Sequence, residues 1–85
     1  MTDTTLNPAT KIHDFILGSF RAEGQDVSIT GSDDLLDLLD SLQLLRLIME
    51  LEAYYTIKVD NGDLTPENVG TIDKLAAYID TRRSA

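Results

Sequence analysis

The amino-acid sequence predicts an all-α fold: a small four-helix bundle of three longer helices and one short helix. Three observations carry this expectation. Apolar residues recur at helical spacing in three separate stretches. Each stretch is preceded by residues suited to capping a helix. The 85 residues, 42% of them hydrophobic, suffice for one core and leave no material for a second.

Taken in order, residues 1–6 are polar and expected to be disordered, residues 7–82 form the domain, and residues 83–85 are a short tail. In "NPATKIHDFILGSFRAEG", Asn7 is a suitable cap and Pro8 fits the first turn, where its missing N–H costs nothing. Ile12, Phe15, Ile16 and Phe20 share a face, and Gly24 is the stop. From Gln25 to Leu39 the pattern is irregular. A connection of that length in so small a domain needs inward anchors, for which Val27, Ile29, Leu35 and Leu36 are the candidates, with "TGSDD" as turn chemistry.

The second long helix is expected from Ser41 to Tyr55, a stretch free of proline and glycine. Leu44, Leu47, Ile48 and Leu51 suit an inward stripe. Leu42, Leu45 and Met49 form a neighbouring apolar stripe, and a domain this size cannot easily bury both. "TIKVDNGDL" reads as a loop anchored by Ile57 and Val59. In "TPEN", Thr65 caps, Pro66 opens and Glu67 faces the positive end of a short helix that Gly70 interrupts. Thr71 then caps the last helix, with Ile72, Leu75, Ala76 and Ile79 inward and Arg82 and Arg83 at its negative end.

Several function classes fall away. The chain has no cysteine, which removes disulfides and thiolate metal sites. A net charge of −8 disfavours nucleic acid and anionic membranes as partners and favours basic protein surfaces. "MTDTTLNP" has neither the basic start nor the apolar core of a signal peptide, and no apolar run is long enough to span a bilayer, so a cytoplasmic location is expected. His13 is the single histidine and no G-x-S-x-G elbow occurs, so no catalytic residue is assigned. "DNGDLTPENVG" is out of step with a calcium loop, and no metal site is assigned.

Read locally, Asp40 or Ser41 simply caps the second long helix. Read along the chain, "LLDSLQLL", then "ELEAYYTIKV", then "DLTPENVGTIDKLAAYI" resembles the acyl and peptidyl carrier proteins, over roughly Ile12 to Ile79. The resemblance implies a four-helix bundle of acyl-carrier type. It makes Ser41 the serine that receives 4′-phosphopantetheine from coenzyme A, through a phosphopantetheinyl transferase and its Mg²⁺. Physical chemistry agrees: a phosphodiester is favoured among the free N–H groups of a helix N-terminus, and the Asp40 carboxylate suits contact with the transferase's Mg²⁺. The resemblance also places Leu42, Leu45 and Met49 against partner enzymes or cargo.

Two departures stand out. Carrier proteins usually have a glycine shortly before the "DSL", and "SDDLLDLLDSL" has none. Fatty-acid carriers usually place acids just after the serine, where this chain has Gln43 and Arg46, with Glu50 and Glu52 further on and Asp33, Asp34 and Asp37 ahead of the serine. They point away from primary fatty-acid synthesis. The expected function is that of a discrete, monomeric acyl carrier in polyketide or nonribosomal-peptide type secondary metabolism, such as antibiotic biosynthesis. Its partners would be the transferase, an acyl- or aminoacyl-loading enzyme and downstream biosynthetic enzymes. An aminoacyl (peptidyl or D-alanyl) carrier is the alternative. An unmodified acidic helical interaction module is the alternative from another class.

Overall fold

The computed structural model describes residues 6–84, with side chains up to Arg83. The first five residues of the stretch expected to be disordered lie outside it. The sixth, Leu6, is held by the far end of the molecule: its N–H donates to the Tyr54 hydroxyl at 3.0 Å, and the Tyr55 hydroxyl donates to its carbonyl at 2.6 Å.

Five α-helices follow: α1 Pro8–Ala22, α2 Leu35–Leu38, α3 Ser41–Tyr55, α4 Pro66–Val69 and α5 Ile72–Ser84, with a single 3₁₀ turn at Asn61–Asp63. No helix among the described residues is long and apolar enough to cross a membrane. The fold is the small helical bundle that the sequence predicts, three long helices about one core. Its local signals act as expected. The Asn7 side chain accepts from the Thr10 N–H at 2.9 Å, and Gly24 takes the left-handed conformation just past α1, φ +79°. The Thr71 hydroxyl accepts from the Lys74 N–H at 3.1 Å to cap α5.

Helix α1 packs on α5 and α3, and α4 packs on α5. Ile12, Ile16 and Phe20 of α1 meet Leu47, Ile48 and Leu51 of α3, Val69 of α4 and Ile72, Leu75 and Ile79 of α5 in one buried cluster. No polar or charged side chain is buried among the described residues, so burial of apolar surface dominates the packing. At the C-terminal end of α3, Thr56 turns the chain in the left-handed region, φ 54°. This brings Val59 back under the helix, where the Glu52 carboxylate accepts its N–H at 2.8 Å.

The connection between α1 and α3 differs in one respect from the sequence expectation. It contains a further helical turn, α2, capped by Asp34, whose side chain accepts from the Leu36 N–H. That turn places Leu35 and Leu39, four residues apart, on its inward side, both buried. Leu36, expected as an anchor, is rotated out and is 41% exposed. Ile29 is buried and Val27 half-buried, as anchors should be. The connection is stitched to the α4–α5 junction by an Asp34–Thr71 antiparallel bridge. The Leu35 N–H donates to Gly70 at 2.7 Å, and the Asp73 N–H donates to Gly31 at 3.0 Å. His13 has a packing role: its Nε2 hydrogen-bonds the Ile29 carbonyl at 3.2 Å, tying α1 to the same connection.

The structure also accounts for the missing glycine. The glycine of the family pattern, three or four residues before the serine, would fall at Leu38 or Asp37, which lie in α2. Thr56 is the only non-glycine residue with positive φ among the described residues, so neither position needs the left-handed region that would favour glycine.

Candidate functional site

The start of α3 is built by a capping box. Asp40 is the N-cap: its Oδ1 accepts the Gln43 N–H at 2.7 Å, and Gln43 Oε1 accepts the Asp40 N–H at 2.9 Å. The question left open by local reading, whether Asp40 or Ser41 caps, is thus answered by Asp40. Ser41 is the first helical residue and is exposed, and its hydroxyl makes no hydrogen bond among the described residues. Its own N–H and that of Leu42 precede the first residue that can reach an intrahelical acceptor. An exposed hydroxyl, two free N–H donors and the positive end of a fifteen-residue helix coincide at one point. A phosphodiester on this oxygen would sit where its charge is favoured.

The other serines with described side chains, Ser19, Ser28 and Ser32, do not share this setting. Ser19 donates its hydroxyl to the Phe15 carbonyl inside α1. Ser32 pairs with the Thr30 hydroxyl at 3.3 Å in the connection, and Ser28 lies in a non-helical stretch. Only at Ser41 does a serine open a long helix.

Around Ser41 the surface is apolar on one side and acidic on the other. Leu42, Leu45 and Met49 are 56%, 48% and 58% exposed, and Leu36 on α2 is 41% exposed. Before the serine, Asp33, Asp34 and Asp37 line a shallow hollow with Val27, Ile29 and Leu38. Asp40 keeps Oδ2 without a protein partner, since the cap uses Oδ1. Leu45 and Met49 also border a cleft of about 290 Å³ between α3 and the following connection, closed by Ile48, Val59 and Leu64 with Glu52, Lys58, Asp60 and Asn61 at its polar rim.

Displaced ionisation lies elsewhere. Burial raises the Tyr55 hydroxyl above its ordinary value. Burial, then the bond it donates to Asp63 at 2.7 Å, raises Tyr78. A backbone hydrogen bond and one from Thr65 lower Glu67 at the start of α4. No cluster of three or more metal-ligating side chains occurs among the described residues.

The sequence reading brought Asp40, Ser41, Leu42, Leu45 and Met49 into one neighbourhood, and the structure places them together. It did not give Gln43 a part in the cap, although an N-cap followed three residues later by Gln is a readable box. Nor did it find Ile48, Lys58, Asp60, Asn61 and Leu64 as cleft residues, which depend on the path of the chain after α3 rather than on any spacing.

Comparison with known proteins agrees with this geometry. A family model described as "Phosphopantetheine attachment site" matches residues 20–79. The chain is 37% identical over 43 residues to an acyl carrier protein of Thermotoga maritima, an alignment covering 51% of this chain and 51% of that protein. The chain thus spans about half the length of the curated relative it matches. No solved structure matches.

Proposed function

The chain belongs to the phosphopantetheine attachment family of carrier proteins, and we propose that Ser41 is the residue that receives the arm. Members of this family are carriers rather than enzymes. Their cofactor is 4′-phosphopantetheine, held covalently on a serine, and it supplies the thiol that this cysteine-free chain lacks. The observation that carries the assignment is the division of labour at the start of α3. Asp40 and Gln43 do the capping, which leaves the Ser41 hydroxyl exposed and unpaired.

In this reading, Ser41 Oγ forms a bond to phosphorus as the pyrophosphate P–O bond of coenzyme A breaks. Adenosine 3′,5′-bisphosphate leaves, and the hydroxyl proton passes to a base of the transferase. The free N–H groups of Ser41 and Leu42 favour the phosphodiester that results. Asp40 Oδ2 is the oxygen we assign to contact with the transferase's Mg²⁺. The chain then acts by tethering, raising the effective concentration of cargo at each partner's active site. Leu42, Leu45 and Met49 offer those partners an apolar surface.

We assign the cargo to an acyl group of polyketide or nonribosomal-peptide type metabolism, in the cytoplasm and on a single copy of the chain. The rim of the cleft supports this: Glu52, Lys58, Asp60 and Asn61 suit a short, polar cargo better than a long alkyl chain. The same rim suits an aminoacyl group, which is the second reading. The carrier domain is taken as residues 7–82.

The test is direct. Apo protein is incubated with coenzyme A, Mg²⁺ and a broad-specificity transferase, and its intact mass is recorded. The expected outcome is one phosphopantetheine increment in the wild type and none in Ser41→Ala. A folded wild type that gains nothing, with the transferase active on a control carrier, would overturn the assignment.

A further inference from the structure

We propose that the transferase surface that seats on α3 of this carrier is apolar with a carboxylate at its edge toward α1, placed to take Arg46. It is not the basic patch that a net charge of −8 suggests. The inference rests on the reading of Ser41 as the modified residue.

An enzyme that reaches Ser41 Oγ must cover the first turns of α3, because Ser41 is its first residue. At 3.6 residues per turn, Leu42, Arg46, Met49 and Ala53 share the outward side, with Leu45 at its edge toward the cleft. All five are exposed. Arg46 is therefore the one charge on that outward side, at its flank toward α1, about 7.5 Å along the axis from Ser41.

The two acids of α3 are occupied within the molecule. Glu50 Oε2 lies 2.7 Å from Lys11 Nζ, and that ammonium also stands 4.4 Å from the centre of the Tyr54 ring. Glu52 accepts the Val59 N–H. Arg46, by contrast, makes no ion pair or hydrogen bond among the described residues. Glu23 lines the same hollow between α1 and α3, with Phe15, Ser19 and Gln43, yet forms no ion pair with it. Both glutamates of α3 thus have a partner within the molecule, and its arginine has none among the described residues.

Covering an unpaired guanidinium with apolar surface would strip its water and give nothing back. A basic patch would add like-charge repulsion. A partner carboxylate answers both costs, and arginine is enriched among interface residues. Asp34, Asp37 and Asp40, exposed acids ahead of α3, lie at the Ser41 end. The fitting partner therefore carries cations at the mouth of its active site and an acid about one and a half helical turns further along α3.

The probe is the source organism's own phosphopantetheinyl transferase with coenzyme A and Mg²⁺, following KM and kcat for the apo chain by intact mass. Arg46→Glu is expected to raise KM by at least about tenfold with kcat within about twofold. Arg46→Lys, which keeps the charge, should recover most of that loss, and Glu23→Gln should leave KM unchanged. Thermal unfolding by circular dichroism should be the same for Arg46→Glu as for the wild type. If that variant unfolds, Arg46→Gln takes its place, with a smaller rise in KM expected. An unchanged or lower KM for the folded Arg46 variants overturns the carboxylate seat while leaving Ser41 as the modified residue. A wild type that the transferase does not load overturns the reading beneath.

Discussion

Along α3, Leu47 and Leu51 are completely buried, while Leu42 and Met49, drawn from the same kind of residue, are more than half exposed. The inward face packs into the cluster shared with α1 and α5, and no described residue covers the outward one. The same apolar chemistry thus serves stability on one side and recognition on the other. Charge follows the same division: the glutamates of α3 hold the bundle together, and its arginine faces out.

The sharpest way to break this comparison is to truncate one leucine on each face. Leu47→Ala removes buried methyl groups and leaves a cavity, and should destabilise by about 2–5 kcal/mol in urea unfolding. Leu42→Ala should fall within about 0.5 kcal/mol of wild type, the usual range for exposed positions. Since a domain of this kind has only about 5–15 kcal/mol in total, the first change threatens folding and the second does not. Equal losses at the two positions would mean that the outward face is core after all.

A smaller effect separates structural acids from docking acids. Glu52→Ala leaves the N–H of buried Val59 without its acceptor and should cost about 1–2 kcal/mol. Glu52→Gln keeps an acceptor oxygen and should cost clearly less. If Glu52→Ala instead unfolds at the wild-type urea concentration and loads with a raised KM, the carboxylate belongs to recognition and the division of charge on α3 fails.

Much of this was legible before any coordinates. Asn7, Gly24, Thr71 and the apolar periodicities of α1, α3 and α5 are local signals, read by counting residues, and each marks what it should. The surplus of leucines in α3 was legible too, because its two stripes exceed what one small core can absorb. What escaped was set by tertiary contact. Leu39 takes the inward place expected of Leu36 because the α1–α3 connection, docked on Gly70 and Thr71, winds one further turn there. The reading gave Gly70 only the role of ending a short helix. In the fold a Cβ at that residue would also strike the carbonyl oxygen of Pro66, a backbone atom that cannot move aside cheaply. The occupied state of Glu50 and Glu52 depends on Lys11 and Val59, remote in sequence or reached only after a turn. A tally of charges along α3 cannot show which of them are free.

A loss of stability smaller than that at Leu47 or Glu52 bears most directly on Ser41. Asp40→Ala removes the N-cap and should destabilise by about 1 kcal/mol, whereas Asp40→Asn, an equally good cap, should unfold as the wild type does. Both variants lack the free carboxylate oxygen beside Ser41. If that oxygen serves only the helix, Asp40→Asn will load phosphopantetheine at the wild-type rate. If it supports the transferase's Mg²⁺, as proposed, Asp40→Asn will load about tenfold more slowly or worse at unchanged stability, the scale of losing a group that supports a bound metal. The pair therefore splits one carboxylate into its two oxygens: Oδ1 is read by unfolding, and Oδ2 by the rate at which Ser41 is modified.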